Sequence, residues 1–250
     1  MGKFDKYRKR LTRNGTNVGH AYASNTIAFI EATFASSTTF RVLKVKSTQF
    51  PDIKEIDARV VEVERLGTLR EVLFRHNQGL DIGTYVEFDE NIWLITDKWG
   101  SKESFLKVMV QKCNRTLKWK EGSIIREIDC IASANPLGSK ANQGKNEIEY
   151  NQYDVSLQSG QMYCFVELND ITEKIKVNQR FIFGSHVYEV VGLDDTSTVD
   201  KNGFGILQMT LNVTTERSTD DFENRIAYNQ EEPTTSEDNT STGDEGGMIW

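Results

Sequence analysis

The chain has 250 residues, 38% hydrophobic and 27% charged, with a formal net charge of −7. That length admits one large domain or two small ones. Cys113, Cys130 and Cys164 are odd in number, widely spaced and without a C-x-x-C, which excludes a disulfide framework and a cysteine zinc site and fits synthesis in a reducing cytoplasm.

Charge is unevenly placed. Ten acids and two arginines lie between Glu216 and Trp250, so the negative charge belongs to that segment and the remainder is nearly neutral. A neutral body gives no general case for nucleic-acid binding. No segment has the uninterrupted apolar core of a secretory signal or approaches the ~20 apolar residues of a membrane span, so the sequence reads as soluble.

In chain order, residues 3–13 read as a helix, with Phe4, Tyr7 and Leu11 at helical spacing, broken at Asn14-Gly15. A second helix is expected from about Asn17 to Phe34, with Ala23, Ile27, Ile30 and Phe34 on a face that packs. Lys6, Lys9, Arg10 and Arg13 make the first helix strongly basic. They are candidate contacts to an acidic partner surface or to nucleic-acid phosphates, against the plainer reading of a solvated face.

From Phe40 the texture changes to strands, expected at 40–46, 58–64, 69–74, 85–89, 92–96, 106–111, 116–119 and 124–131. Glu90-Asn91 and Glu121-Gly122 are the hairpin signals. Residues 132–146 hold Pro136, two glycines and small polar residues, and read as a loop or linker. Strands resume at 161–168, 180–183, 187–191 and 206–214, followed by a short helix around 220–228. Residues 229–247 are too polar to offset their ordering entropy and read as disordered. Met248, Ile249 and Trp250 follow, as an apolar anchor for a neighbouring surface or as a frayed end.

Two segments align without a gap. Residues 82–97 match residues 177–192 at Val86/Phe181, Phe88/Phe183, Ile92/Val187, Trp93/Tyr188 and Ile95/Val190, and Gly83 faces Asn178, two residues that tolerate a left-handed turn. Each copy is followed by a loop and a long returning strand. The pattern points to a duplicated β-domain with its boundary in 132–150.

No constellation points to catalysis, a cofactor or a metal. Gly138 to Lys145 has the wrong spacing for a phosphate loop. His20, His76 and His186 are far apart. Ser185, His186 and Asp194 contain the letters of a triad, but Ser185 and His186 are neighbours at a predicted turn. Trp93, Trp99, Trp119 and Tyr188 are candidates for a stacking platform or, more simply, for core packing.

Several phrases carry a family resemblance: Met1-Gly-Lys-Phe-Asp-Lys-Tyr-Arg-Lys-Arg-Leu-Thr-Arg-Asn-Gly, Leu80-Asp-Ile-Gly-Thr-Tyr-Val-Glu-Phe, Trp93-Leu-Ile-Thr-Asp, Lys112-Cys-Asn-Arg-Thr-Leu-Lys-Trp and Arg180-Phe-Ile-Phe-Gly. Over residues 1–215 the chain resembles neck proteins of tailed phages and prophages of Gram-positive hosts, the head-closure and head–tail connector proteins. The resemblance implies a non-enzymatic virion protein, assembled in the host cytoplasm, that forms a homo-oligomeric ring. Its expected partners are other copies of itself, the portal or an adaptor, and tail proteins. Packaged DNA is expected to pass nearby without sequence-specific binding, and no membrane is involved. The alternative is a tail-tip or baseplate protein that binds glycans through Trp99 and Trp119.

The expected fold is mainly β: two small β-barrel or sandwich domains with an N-terminal helical segment and a disordered acidic C-terminal tail. The expected parts are a helical arm (1–36), a first β-domain (37–131), a linker (132–150), a second β-domain (151–215) and the acidic tail (216–250). Candidate partner-binding residues are Lys6, Lys9, Arg10, Arg13, Met248, Ile249 and Trp250.

Overall fold

Alternating apolar residues give these strands one face to bury, and the chain buries them by curling two six-stranded sheets on themselves. The computed structural model describes residues 4, 18–63, 67–101, 105–134 and 160–229. A helix, α1 (Val18–Thr33), leads into β1 (Phe40–Lys46), β2 (Glu55–Glu62), β3 (Leu69–Phe74), β4 (Tyr85–Phe88), β5 (Asn91–Trp99) and β6 (Lys107–Lys112). These six form a closed antiparallel barrel in the order β1-β2-β3-β6-β5-β4, with β4 pairing back onto β1. The second sheet is built from β7 (Arg115–Glu121), β8 (Ile124–Ser133), β9 (Gln161–Leu168), β10 (Arg180–Phe183), β11 (His186–Asp194) and β12 (Gly205–Thr214). Its order is β10-β11-β12-β9-β8-β7. Numbered from its own first strand, each sheet runs 1-2-3-6-5-4.

The duplication holds down to single hydrogen bonds. β4 and β10 begin at 85 and 180, and β5 and β11 at 91 and 186, so both pairs are displaced by 95 positions. The Gly83 N–H donates to the Ile95 carbonyl at 2.9 Å, and the Asn178 N–H to the Val190 carbonyl at 2.8 Å. Both donors have positive φ, +90° for Gly83 and +71° for Asn178. A bulge interrupts the ladder between Ile95 and Asp97 and again between Val190 and Gly192. The aromatic pair recurs as well: Phe88 stacks on Trp93 at 4.8 Å and Phe183 meets Tyr188 edge-on at 5.9 Å.

Each barrel has its own core. Leu43, Ala58, Val72, Val86, Trp93 and Val108 fill the first, and Leu117, Trp119, Val166, Phe181, Leu207 and Met209 the second. The second barrel stays open between β7 and β10, which share no ladder. There Trp119 closes the interior by meeting Phe181 edge-on at 6.1 Å. A third cluster, Tyr85, Leu94, Ile131, Phe165 and Ile206, joins the barrels through residues of β4, β5, β8, β9 and β12. Gly83 lies so close to the second barrel that a Cβ there would sit 2.0 Å from the Gly205 carbonyl oxygen.

The mainly β, two-barrel architecture matches the expectation, with four differences. β7 and β8 were expected in the first domain but lie in the second sheet, where Ile131, Ala132 and Ser133 pair with Phe165, Cys164 and Tyr163. The expected linker, 132–150, therefore falls between β8 and β9 of one sheet, and residues 135–159 lie outside the described part. The hairpin turn is Asp89-Glu90, both at positive φ, because Phe88 pairs with Asn91. No helix forms around 220–228. Asp221 accepts from the Asn224 N–H at 2.9 Å and Asp220 from the Tyr228 N–H at 2.8 Å, so local side-chain bonds replace the helical ladder. On α1, Phe34 is fully buried just past the helix end and Ile27 and Ile30 are half-buried, but Ala23 is exposed. The basic helix 3–13, apart from Phe4, and the acidic segment from 230 onward lie outside the described residues.

Candidate functional site

α1 is anchored at one end. The Arg75 guanidinium pairs with Glu31 at 2.9 Å and Asp57 at 2.8 Å and lies 4.5 Å over the Phe34 ring. Arg59 covers the same ring at 4.8 Å and donates to the Phe34 carbonyl and the Thr33 hydroxyl. Glu31 also accepts the His76 N–H at 2.8 Å. The helix therefore docks by its last turns, through Ile27, Ile30, Glu31 and the following Phe34. Tyr22 and Phe29, seven residues apart and so on one stripe, are 71% and 70% exposed. Helical spacing alone does not separate this apolar stripe from the docked one, since both carry large apolar residues.

A second feature is the seam of the second barrel. Between β7 and β10 lies a cleft of about 550 Å³ whose walls carry Lys120, Lys174, Lys176 and Arg217, with Glu121 as the opposing carboxylate. Val177 and Tyr228 present apolar surface at its rim. The floor is rigid. Arg180, 3% exposed, forks onto Asp220, 0% exposed, with both N–O distances 2.9 Å, and donates to the carbonyls of Thr215 and Tyr228. Burial raises the Asp220 pKa, but the N–H groups of Arg217 and Tyr228 and the Arg180 guanidinium outweigh it and hold the carboxyl below the usual range. The Asn229 side chain takes both main-chain groups of Arg180, accepting its N–H at 2.6 Å and donating to its carbonyl at 3.0 Å.

The residues weighed for chemistry are not brought together. His186 begins β11 and Asp194 ends it, roughly 25 Å apart at strand rise. The Asp194 carboxyl is held at about 2 by the N–H and side chain of Ser197 and then by Thr196. Burial, then the neighbouring Cys130 and Asp129, pushes the Cys113 thiol well up; a hydrogen bond with Cys164, then burial, does the same for Cys130. These are features of protonated, packed thiols. Among the described residues no group of three or more His, Cys, Asp or Glu is placed to hold a metal. The tryptophan platform does not form: Trp93 and Trp119 are core residues, 3% and 5% exposed, and only Trp99 of the three reaches the surface. Lys6, Lys9, Arg10, Arg13, Met248, Ile249 and Trp250 lie outside the described residues.

Residues 115–212 match the family model of the YomX C-terminal domain. That family is phage-derived, named for YomX of a Bacillus prophage. The match begins at the first residue of β7 and ends within β12, so it spans the second barrel and less than half of the chain. It supports a phage protein. No curated protein and no solved structure matches the chain. Among the described residues no helix is long and apolar enough to cross a membrane.

Proposed function

We propose that the chain is a structural protein of a phage virion, forming a ring in the neck that joins or closes the portal and connects it to the tail. The observation that carries this reading is α1: a helix fixed to the first barrel by its last turns, with Tyr22 and Phe29 in solvent on the opposite stripe. An aromatic pair held out on a helix is costly in water and favourable against a neighbouring copy. Repeated contacts of that kind between unlike faces close into a ring when the rotation allows it. The phage-derived match agrees with a phage structural protein. In this reading the partners are other copies, the portal or an adaptor, and tail proteins, and the protein ends in the virion.

Negative-stain imaging of the purified full chain, alone and mixed with its cognate portal, tests the reading. Rings of six or twelve copies, or a second ring stacked on the portal, are expected. Monomers in both samples would contradict it.

A further inference from the structure

We infer that the basic cleft between β7 and β10 is the docking site of the chain's own acidic segment, beginning with Glu231 and Glu232. Three independent observations converge. The cleft is cationic: Lys120, Lys174, Lys176 and Arg217 line it, with Glu121 the one carboxylate among its described lining residues. Glu121 is already engaged by Arg126 at 2.8 Å, and the Lys174 side chain, 3.5 Å from it, remains 65% exposed. Next, the seam is where the second barrel differs from the first: β1 and β4 are laddered, whereas β7 and β10 are not, so edge backbone borders the cleft.

Finally, the chain is delivered to this place. Asn229 is itself a wall residue, pinned to Arg180 by two hydrogen bonds. Residues 230–250 contain six acids and no base. Glu231 is two residues beyond Asn229, so its Cα lies within roughly 7 Å of that wall, whatever the backbone does. Such a short connection presents the carboxylates at an effective concentration of the order of millimolar. A segment from another copy, at micromolar protein, competes with that at a disadvantage of about a thousandfold. The occupant is therefore the segment of the same chain. The seam that β-pairing leaves open is closed by charge, and the cations are covered by an intramolecular partner. This inference does not depend on ring formation.

The test is carbodiimide coupling of carboxylates to lysines in the full chain. Equal amounts of 14N- and 15N-labelled protein are unfolded and refolded together, coupled, digested with trypsin and read by mass spectrometry. No Lys or Arg follows Arg225, so the acids of the segment are released on one peptide that starts at Ile226. The expected result is links from Glu231 or Glu232 to Lys120, Lys174 or Lys176 within peptides of one isotope, lost severalfold at about 1 M salt, where screening acts within ~3 Å. A Lys120→Gln/Lys174→Gln variant with unchanged circular dichroism is expected to reduce linkage of Lys176 as well, severalfold, because the field of the cleft is weakened. Absence of links, links divided about equally between same-isotope and mixed-isotope pairs, or Lys176 linkage unaffected by the variant would each overturn the inference.

Discussion

The hydroxyl of Tyr85, on β4 of the first barrel, donates to the main-chain carbonyl of Asp129, on β8 of the second, at 2.5 Å. It also accepts the Glu167 N–H at 3.2 Å, and burial raises its pKa well above that of a free phenol. One side chain thus serves two main-chain groups across the junction. Tyr85→Phe keeps the packing and leaves both without this partner. The expected cost is about 1–2 kcal/mol, read as a shift of the urea midpoint with unchanged slope. An unaltered midpoint would show that the bond contributes nothing net.

Glu167 sits at the same junction and gives a pH signature. Its Oε1 accepts from the Ser47 hydroxyl at 2.5 Å and from the Thr48 N–H at 3.2 Å, while Asn169 donates to Oε2 at 3.2 Å. Burial outweighs these donors and raises its pKa above the ordinary 4.5. The folded state therefore holds a proton that the unfolded state has released in the interval between the two pKa values. Stability falls as pH rises through that interval, and the penalty is present in full above it. Glu167→Gln changes the hydrogen bonding by a constant amount and removes the titration. The stability difference between variant and wild type should shift in the variant's favour from pH 4.5 upward. A difference independent of pH would refute the assignment.

Arg180 and Asp220 are the opposite case, a carboxylate whose folded pKa is depressed. The stability it contributes is present above the unfolded pKa and is lost as pH falls through the folded one. Breaking the pair leaves a guanidinium buried without its counter-ion. Asp220→Ala is expected to cost roughly 3–5 kcal/mol. Because Asp220 also receives the N–H groups of Arg217 and Tyr228, residues 216–229 should gain new sites of proteolysis. Limited proteolysis with mass readout checks this, and an unchanged cleavage map would contradict it.

Gly83 and Asn178 occupy equivalent turns and should respond in opposite ways. At Gly83 a new Cβ would meet the backbone of Gly205, which cannot rotate aside, so Gly83→Ala is expected to destabilise by roughly 2–4 kcal/mol. At Asn178, which is exposed with φ of +71°, Asn178→Gly should fall within about 0.5 kcal/mol of wild type. Thermal melts of the two variants decide it. A Gly83→Ala loss no larger than the roughly 1–2 kcal/mol of a left-handed alanine would mean that the turn geometry alone, not the approach of the second barrel, sets the need for glycine.

Much of the fold was legible because its alternation is regular. β3, β9 and β10 were readable to the residue, and Trp93/Tyr188 named an equivalence that the bulges and the paired turns at Gly83 and Asn178 complete. The domain boundary was not legible. Thr116 to Ile131 reads as a hairpin wherever it is placed, and only the pairing of Ile131 with Phe165 assigns it to the second barrel. The helix expected at 220–228 failed because Asp220 and Asp221 bind local N–H groups, which hydrophobic spacing does not report. Surface function was harder still. Tyr22 and Phe29 have the spacing of core residues, and nothing short of the packing shows that their stripe faces away from the barrel.

On the proposed function, the stripe of Tyr22 and Phe29 is an assembly surface. Native mass spectrometry of the full chain, wild type beside Tyr22→Ser/Phe29→Ser, tests it most directly. A closed ring of identical copies is expected for the wild type, and for the variant a monomer that melts within about 2 °C of wild type, since exposed residues contribute little to the fold. A variant that assembles as well as the wild type would contradict it.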